Sequence, residues 1–277
     1  MTRGPCEPIA HGLDNDRVTF ERFVALGDSF TEGVGDPDPA RPNGLRGWAD
    51  RVAEVLAGHS DDFGYANLAV RGRKLDGVIA EQVEPAIALA PDLISVYAGG
   101  NDILRPKVDI DAIVDRYDAA VGKLAATGAR LLVFTAYDPG GSAIFRPLRG
   151  RFAIYNEMVR WSAERHGATI IDYWRLRDLR DQRHWDSDRL HMGPLGHQRV
   201  AIAVLDALTV PHTLTVELPA TSPETPPGSR RDAWGEHAAW ARESLGPWVS
   251  RRLTGRSSGD SVAARWPTLS RPEHHLD

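Results

Sequence analysis

The chain has 277 residues, 42% of them hydrophobic, enough for one domain with a sizeable core and an appendage. Its formal net charge of −5 gives no electrostatic reason to expect nucleic acid or an anionic membrane as partner. The single cysteine, Cys6, excludes an intrachain disulfide and suits a reducing compartment.

The first twenty residues carry Glu7, Asp14 and Asp16 without the apolar stretch of a secretory signal. No run approaches the roughly 20 apolar residues of a membrane helix. A soluble, cytoplasmic protein is expected.

Apolar patterning then alternates between strand and helix. Phe23-Val24-Ala25-Leu26 is a short apolar run of strand length. Trp48, Val52, Val55 and Leu56 fall at helical spacing over residues 47–56. A second strand spans 65–70, with a helix from about 75 to 89. Asp92 to Tyr97 is a third strand, flanked by Pro91 and by Gly99-Gly100. A helix from about 111 to 126, closed by Gly128, leads to a fourth strand over 130–135. A helix over 152–166 ends at Gly167, as a C-terminal cap glycine would have it. Residues 169–173 form a fifth strand, and a last helix over 195–208 stops before Pro211. Five strands separated by helices imply a doubly wound, mostly parallel sheet.

After Pro211 the composition changes. Residues 217–230 are rich in Pro, Thr, Ser and Gly and read as a linker or surface strap. The stretch from Trp234 through Trp240 to Trp248 is amphipathic and is expected to be helical. It is too short to fold alone, so it packs on the preceding domain or meets a partner. From Ser257 the chain is expected to be disordered. This gives an N-terminal extension over 1–20, a domain over 21–212 and a helical tail over 213–277.

Chemistry gathers at the strand ends. Four blocks stand there: Gly27-Asp28-Ser29-Phe30-Thr31-Glu32-Gly33, Asn67-Leu68-Ala69-Val70-Arg71-Gly72, Gly99-Gly100-Asn101-Asp102, and residues 188–197, which run Asp-Arg-Leu-His-Met-Gly-Pro-Leu-Gly-His. Carboxyl ends of strands are where open α/β sheets bind ligands. A serine hydroxyl is a weak nucleophile without an adjacent base. Asp188 and His191 are close enough for one loop to hold both. The oxyanion of acyl transfer needs preorganised donors, for which glycine backbone and an uncharged amide are suited. The first block is not the G-x-S-x-G elbow, because Thr31 stands where the second glycine belongs.

In order and spacing, over residues 22–208, the four blocks resemble those of the SGNH, or GDSL-type, hydrolases. The resemblance implies a flavodoxin-like, three-layer α/β/α fold with a five-stranded, mostly parallel sheet, plus the C-terminal helical extension. It implies a serine esterase or acylhydrolase that forms an acyl-enzyme on small-molecule, lipid or carbohydrate esters. Ser29 matches the nucleophile, His191 the general base and Asp188 the group that orients it. The N–H groups of Ser29 and Gly72 and the Asn101 amide match the oxyanion hole. No cofactor or metal is implied. Acyl transfer to an alcohol, or a non-catalytic module keeping the fold, are the alternatives; the intact residue set argues against the second. One departure from the family pattern is Met192-Gly193-Pro194 after His191, where the family often has Pro-Asn.

Other residues have plainer readings. Ser29 alone is also a possible helix cap, and Gly72 a simple turn residue. Asp28 reads as a loop brace, Asp102 as a cap or brace, and His197 as packing or surface. His184, Asp186, Asp188 and His191 lie within eight residues but lack a recognisable metal-ligand pattern. Two loops are candidate walls of the acyl pocket: 36–47, and 137–149 with Ile144, Phe145 and Leu148. Arg71, Arg73, Arg105, Arg146 and Arg149 instead suggest an anionic head group.

Overall fold

The computed structural model describes residues 19–142, 144–218, 246 and 258–272. The first strand, β1 (Arg22–Leu26), runs through the middle of the sheet. Its side chains alternate by the strand period of two. Phe23 and Ala25 enter one core, while Val24 and Leu26 enter the other. Both faces are covered, which is why β1 reads as an unbroken apolar run and not as an alternation.

The remaining strands are β2 (Gly64–Asn67), β3 (Leu93–Val96), β4 (Arg130–Phe134), β5 (Thr169–Ile171) and β6 (Trp266–Ser270). Their order is β5-β4-β3-β1-β2-β6, with the first five strands parallel. The β2-β1-β3-β4-β5 part is the flavodoxin order, whose switch point lies between β1 and β3. A short helix, α1 (Ser29–Glu32), leaves β1 at that point.

Helices cover both faces. On one face α2 (Trp48–Ala57) packs against α8 (Pro194–Leu208). On the other, α6 (Ile110–Ala125) packs against α7 (Arg149–His166). The helix expected over 75–89 forms as α3 (Leu75–Val78) and α4 (Glu84–Ala88), joined by a π-helical turn over Ile79–Val83. One further short helix, α5 (Gly100–Ile103), follows β3. Among the described residues no helix is long and apolar enough to cross a membrane.

Among the described residues the sheet has six strands where five were expected, and the disorder expected from Ser257 does not hold for residues 258–272. Residues 258–272 are described, and β6 pairs antiparallel with β2, with Asn67 opposite Trp266 and Tyr65 opposite Ser270. The sequence hid this strand for two reasons. Pro267 reads as a strand breaker, yet proline is tolerated in an edge strand. The strand also has no fully buried residue and no apolar alternation to betray it. The expected helix spanning Trp234 to Trp248 lies outside the described residues.

Candidate active site

The turn after β1 is held from several sides. At Gly27 a Cβ would lie 2.5 Å from Thr31 Oγ1 and 2.7 Å from the Tyr97 carbonyl, so no side chain fits. Gln82, buried in the π-helical turn, accepts from the Gly27 N–H at 2.8 Å and donates to its carbonyl at 2.9 Å. Asn67 donates to the Thr31 carbonyl at 2.8 Å. Asp28, buried, is the N-cap of α1 and accepts from the Phe30 N–H at 3.1 Å. Ser29 is the first residue of α1, so its N–H has no intrahelical partner.

His191 and Asp188 share a tight loop. Trp185 and Met192 form an antiparallel bridge, the Asp186 N–H donates to the His191 carbonyl at 2.9 Å, and the Gly193 N–H to the His184 carbonyl at 2.8 Å. Inside this loop His191 Nδ1 meets Asp188 Oδ2 at 2.6 Å. Asp188 Oδ1 accepts from the N–H groups of Leu190 and His191 at 2.8 and 2.9 Å. Burial alone pushes the Asp188 carboxyl up; hydrogen bonding and charge from His191, with the two backbone donors, outweigh it and hold the carboxyl below its ordinary range. The tight loop also sets Arg189 at φ 55°, left-handed for a non-glycine residue. The Met-Gly-Pro variation is accommodated, because Pro194 is the first residue of α8, where its missing N–H costs nothing.

Asn101, in α5, is anchored on the Ser29 side. Its Nδ2 donates to Asp28 Oδ2 at 2.9 Å and to the Arg73 carbonyl at 3.1 Å. Both partners are acceptors, which fixes the orientation of the amide. Asp28 is therefore both a cap and a brace. Asp102 accepts from the Leu75 N–H at 2.9 Å and so caps α3, an earlier segment than the one following it. Gly72 sits in the turn after β2 at φ 75°, beside the Arg73 carbonyl that binds Asn101.

Ser29, Asn101 and His191 line one cavity of about 90 Å³, with Tyr97, Tyr137, Phe145 and Trp185 among its walls. Asp188 stands behind His191, and Gly72 in the adjoining turn is not in the lining. A second pocket of about 410 Å³ shares Tyr137, Phe145 and Trp185 with the first and adds Ser142, Ile144, Arg180 and Arg189. The 137–149 loop thus contributes walls, though Leu148 does not. The 36–47 loop lines neither pocket and is tied to α2 instead, where Asp36 pairs with Arg51 and Glu54 with Arg41 and Arg46. None of the five arginines suggested for an anionic group lines either pocket. Arg71 binds Glu32, Arg73 binds Glu81, and Arg149 binds Asp138.

Of His184, Asp186, Asp188 and His191, Asp188 and His191 meet, and the four do not gather into one cluster. Among the described residues no three His, Cys, Asp or Glu side chains are grouped to hold a metal. His197 is fully buried: Nδ1 accepts from the Trp48 N–H at 3.2 Å and Nε2 faces the Val34 carbonyl at 3.3 Å. Burial, aided by the charge of Arg51, lowers its pKa to about 3, so the imidazole is neutral. Gln82 and Glu32 were not legible as site residues. A single glutamine in a helical pattern carries no signal, and the π turn that aims it leaves none in the periodicity.

The profile of the GDSL-like Lipase/Acylhydrolase family matches residues 25–199. Among solved structures, LAE5, an alpha/beta hydrolase enzyme from the metagenome of Lake Arreo, Spain, is similar at 23% identity and a TM-score of 0.57. That match covers 70% of this chain and 97% of LAE5. Axe2, an acetylxylan esterase from Geobacillus stearothermophilus, is similar at 20% identity and a TM-score of 0.58, covering 70% of this chain and 96% of Axe2. The psychrotrophic esterase EstA from Pseudoalteromonas sp. is similar at 17% identity and a TM-score of 0.54, covering 68% of this chain and 97% of EstA. These likenesses concern the fold. Among curated proteins there is no significant match. The profile match spans more than half of the sequence, so the chain belongs to the GDSL-like lipase/acylhydrolase family and is a carboxylic ester hydrolase.

Proposed function

We propose that the chain cleaves esters through an acyl-enzyme on Ser29, with His191 as general base and Asp188 as its orienting carboxylate. The observation that carries this reading is the 2.6 Å contact between His191 Nδ1 and Asp188 Oδ2, on a histidine that shares a cavity with Ser29. An ionised carboxylate only accepts, so Nδ1 bears the proton and Nε2 keeps its lone pair. That tautomer takes the Ser29 proton as Oγ attacks the acyl carbon. The resulting imidazolium is stabilised by Asp188 and returns the proton to the leaving alcohol. Water, activated by the same Nε2, then releases the acid.

The oxyanion is met by the N–H groups of Ser29 and Gly72 and by the Asn101 amide. Support is uneven. The Ser29 N–H has no helical partner, and Gly72 has the backbone freedom for a close approach. Both protons of the Asn101 amide are already engaged by Asp28 and Arg73, so one must be shared or released when the oxyanion forms.

The small cavity suits a short acyl group. The larger pocket adjoins it on the side of the His191 loop, through Trp185 and Arg189. His191 delivers its proton to the leaving oxygen, so the alcohol portion is assigned to that pocket. Aromatic walls beside Ser142, Gln182 and Arg180 suit an alcohol with both a ring face and polar groups.

The test is hydrolysis of p-nitrophenyl esters from acetate to palmitate by wild type and Ser29→Ala. A burst of p-nitrophenol in wild type, and near-complete loss in Ser29→Ala, is expected. Equal turnover by the two proteins would sink the assignment of the nucleophile.

A further inference from the structure

Residues 258–272 follow the stretch matched by the family profile, and nearly the whole of each similar structure is spanned by only part of this chain. Before it reaches the sheet edge, this segment meets the Gly72 turn and the loop that joins α1 to α2. Gly259 lies directly on the Gly72 turn: a Cβ there would be 2.1 Å from the Arg71 carbonyl and 2.9 Å from Val70 Cγ1. Asp260 pairs with Arg73 at 3.6 Å, and the Ala263 carbonyl accepts from Asn43 Nδ2 at 3.2 Å.

Arg265 then turns inward, with its side chain 0% exposed. Its Nη1 donates to the Glu32 carbonyl and to Asp50 Oδ2, both at 2.8 Å. Its Nε donates to the Pro42 carbonyl at 2.8 Å, and its Nη2 to the Leu45 carbonyl. One planar guanidinium thus gathers the end of α1, the start of α2 and the loop between them.

Glu32 closes the connection. It is the last residue of α1, three positions after Ser29. Its buried carboxylate accepts the Arg71 backbone N–H at 2.6 Å and the Arg71 guanidinium at 2.5 to 3.1 Å. Its carbonyl belongs to the tail, and its carboxylate to the residue just before Gly72.

We propose that the C-terminal segment braces the catalytic apparatus, with Arg265 as a positioning residue that sets the Ser29 helix against the Gly72 turn. This rests on the serine-hydrolase reading above. Two oxyanion donors on two separate loops form one hole only if the loops keep their spacing. A misplacement of about 1 Å costs on the order of 10²-fold in rate. Without Arg265, the Glu32 carbonyl and the Asp50 carboxylate lose a buried donor, and both loops relax.

The experiment compares full-length wild type, Arg265→Met, Gly259→Ala, Arg271→Met and Ser29→Ala on p-nitrophenyl acetate. Melting temperature and the rate of inactivation by diethyl p-nitrophenyl phosphate are followed alongside. Arg271 is the control, because it binds the carbonyls of Ala57, Ser60 and Asp61 near the other end of β6 and touches no part of α1. Arg265→Met is expected to lower kcat and the inactivation rate by about 10- to 100-fold with KM little changed. Arg271→Met should lower the melting temperature with kcat preserved. Gly259→Ala forces the segment off Arg71 and should lower kcat even if Arg265→Met does not fold. If folded Arg265→Met or Gly259→Ala keeps the wild-type kcat, or Arg271→Met loses as much, the brace is overturned while the Ser29→Ala loss leaves the triad standing. Activity retained in Ser29→Ala overturns both.

Discussion

Gly35 faces the carbonyl of Met192 so closely that a Cβ would lie 2.0 Å from that oxygen and 3.1 Å from His191 Cβ. The loop leaving the Ser29 helix and the loop carrying His191 therefore touch backbone to backbone. The φ of Gly35 is 100°, a left-handed value that side chains resist. This contact supports the spacing of serine and histidine without being part of either.

Gly35→Ala is accordingly expected to push the His191 loop outward. The displacement should cost on the order of 10²-fold in kcat, together with a loss of about 1–3 kcal/mol in stability. Melting curves and kcat on p-nitrophenyl acetate measure both. A variant with unchanged kcat would mean that the two loops do not depend on this contact.

Asn101 offers a sharper case. If its amide serves the oxyanion, Asn101→Ala should lower kcat by on the order of 10²–10³ with little change in KM. If its work is to tie Asp28 to the Arg73 carbonyl, the melting temperature should fall while kcat stays within about tenfold. The two outcomes separate on the ratio of kcat loss to stability loss.

Much of this was legible beforehand, for reasons tied to particular residues. Buried parallel strands such as Phe23–Leu26 announce themselves as apolar runs, and Asp188 and His191 stand close enough in sequence to imply one loop. The features without a sequence signal depend on contacts between distant segments. β6 exists because β2 offers an open edge, and its half-exposed, proline-bearing sequence gives no period to read. Glu32 and Arg265 are ordinary charges in the sequence and become structural only where the fold brings 32, 71 and 265 together. The loop over 36–47 looked like a pocket wall because it follows the serine, yet its side chains pair with α2.

His197 sets a prediction on pH. Its pKa is lowered to about 3 in the folded protein by burial, against an ordinary value of 6.5. Between those values the unfolded chain binds a proton that the folded chain refuses. Its contribution is therefore complete above pH 6.5 and is lost as pH falls, at up to about 1.4 kcal/mol per pH unit. Asp36 and Asp102, raised by burial, act in the opposite sense, since the folded state takes up their protons first. The difference between wild type and His197→Gln isolates the histidine. Urea melts from pH 7 to 5 should show a flatter acid decline in the variant; parallel curves would mean that His197 titrates alike in both states.

The assignment of the larger pocket to the alcohol portion is tested by filling it. Ile144 lines that pocket and is absent from the walls of the smaller cavity at Ser29. Ile144→Trp should raise KM for acetate esters of bulky aromatic alcohols while leaving methyl and ethyl acetate nearly untouched. The acyl-chain profile on a common small alcohol should also stay as in wild type, because the smaller cavity is unaltered. Had the pocket held the acyl chain instead, the same substitution would penalise long acyl groups and spare bulky alcohols. Steady-state kinetics on the two ester series decides between these, since a blocked subsite acts on only one half of the substrate.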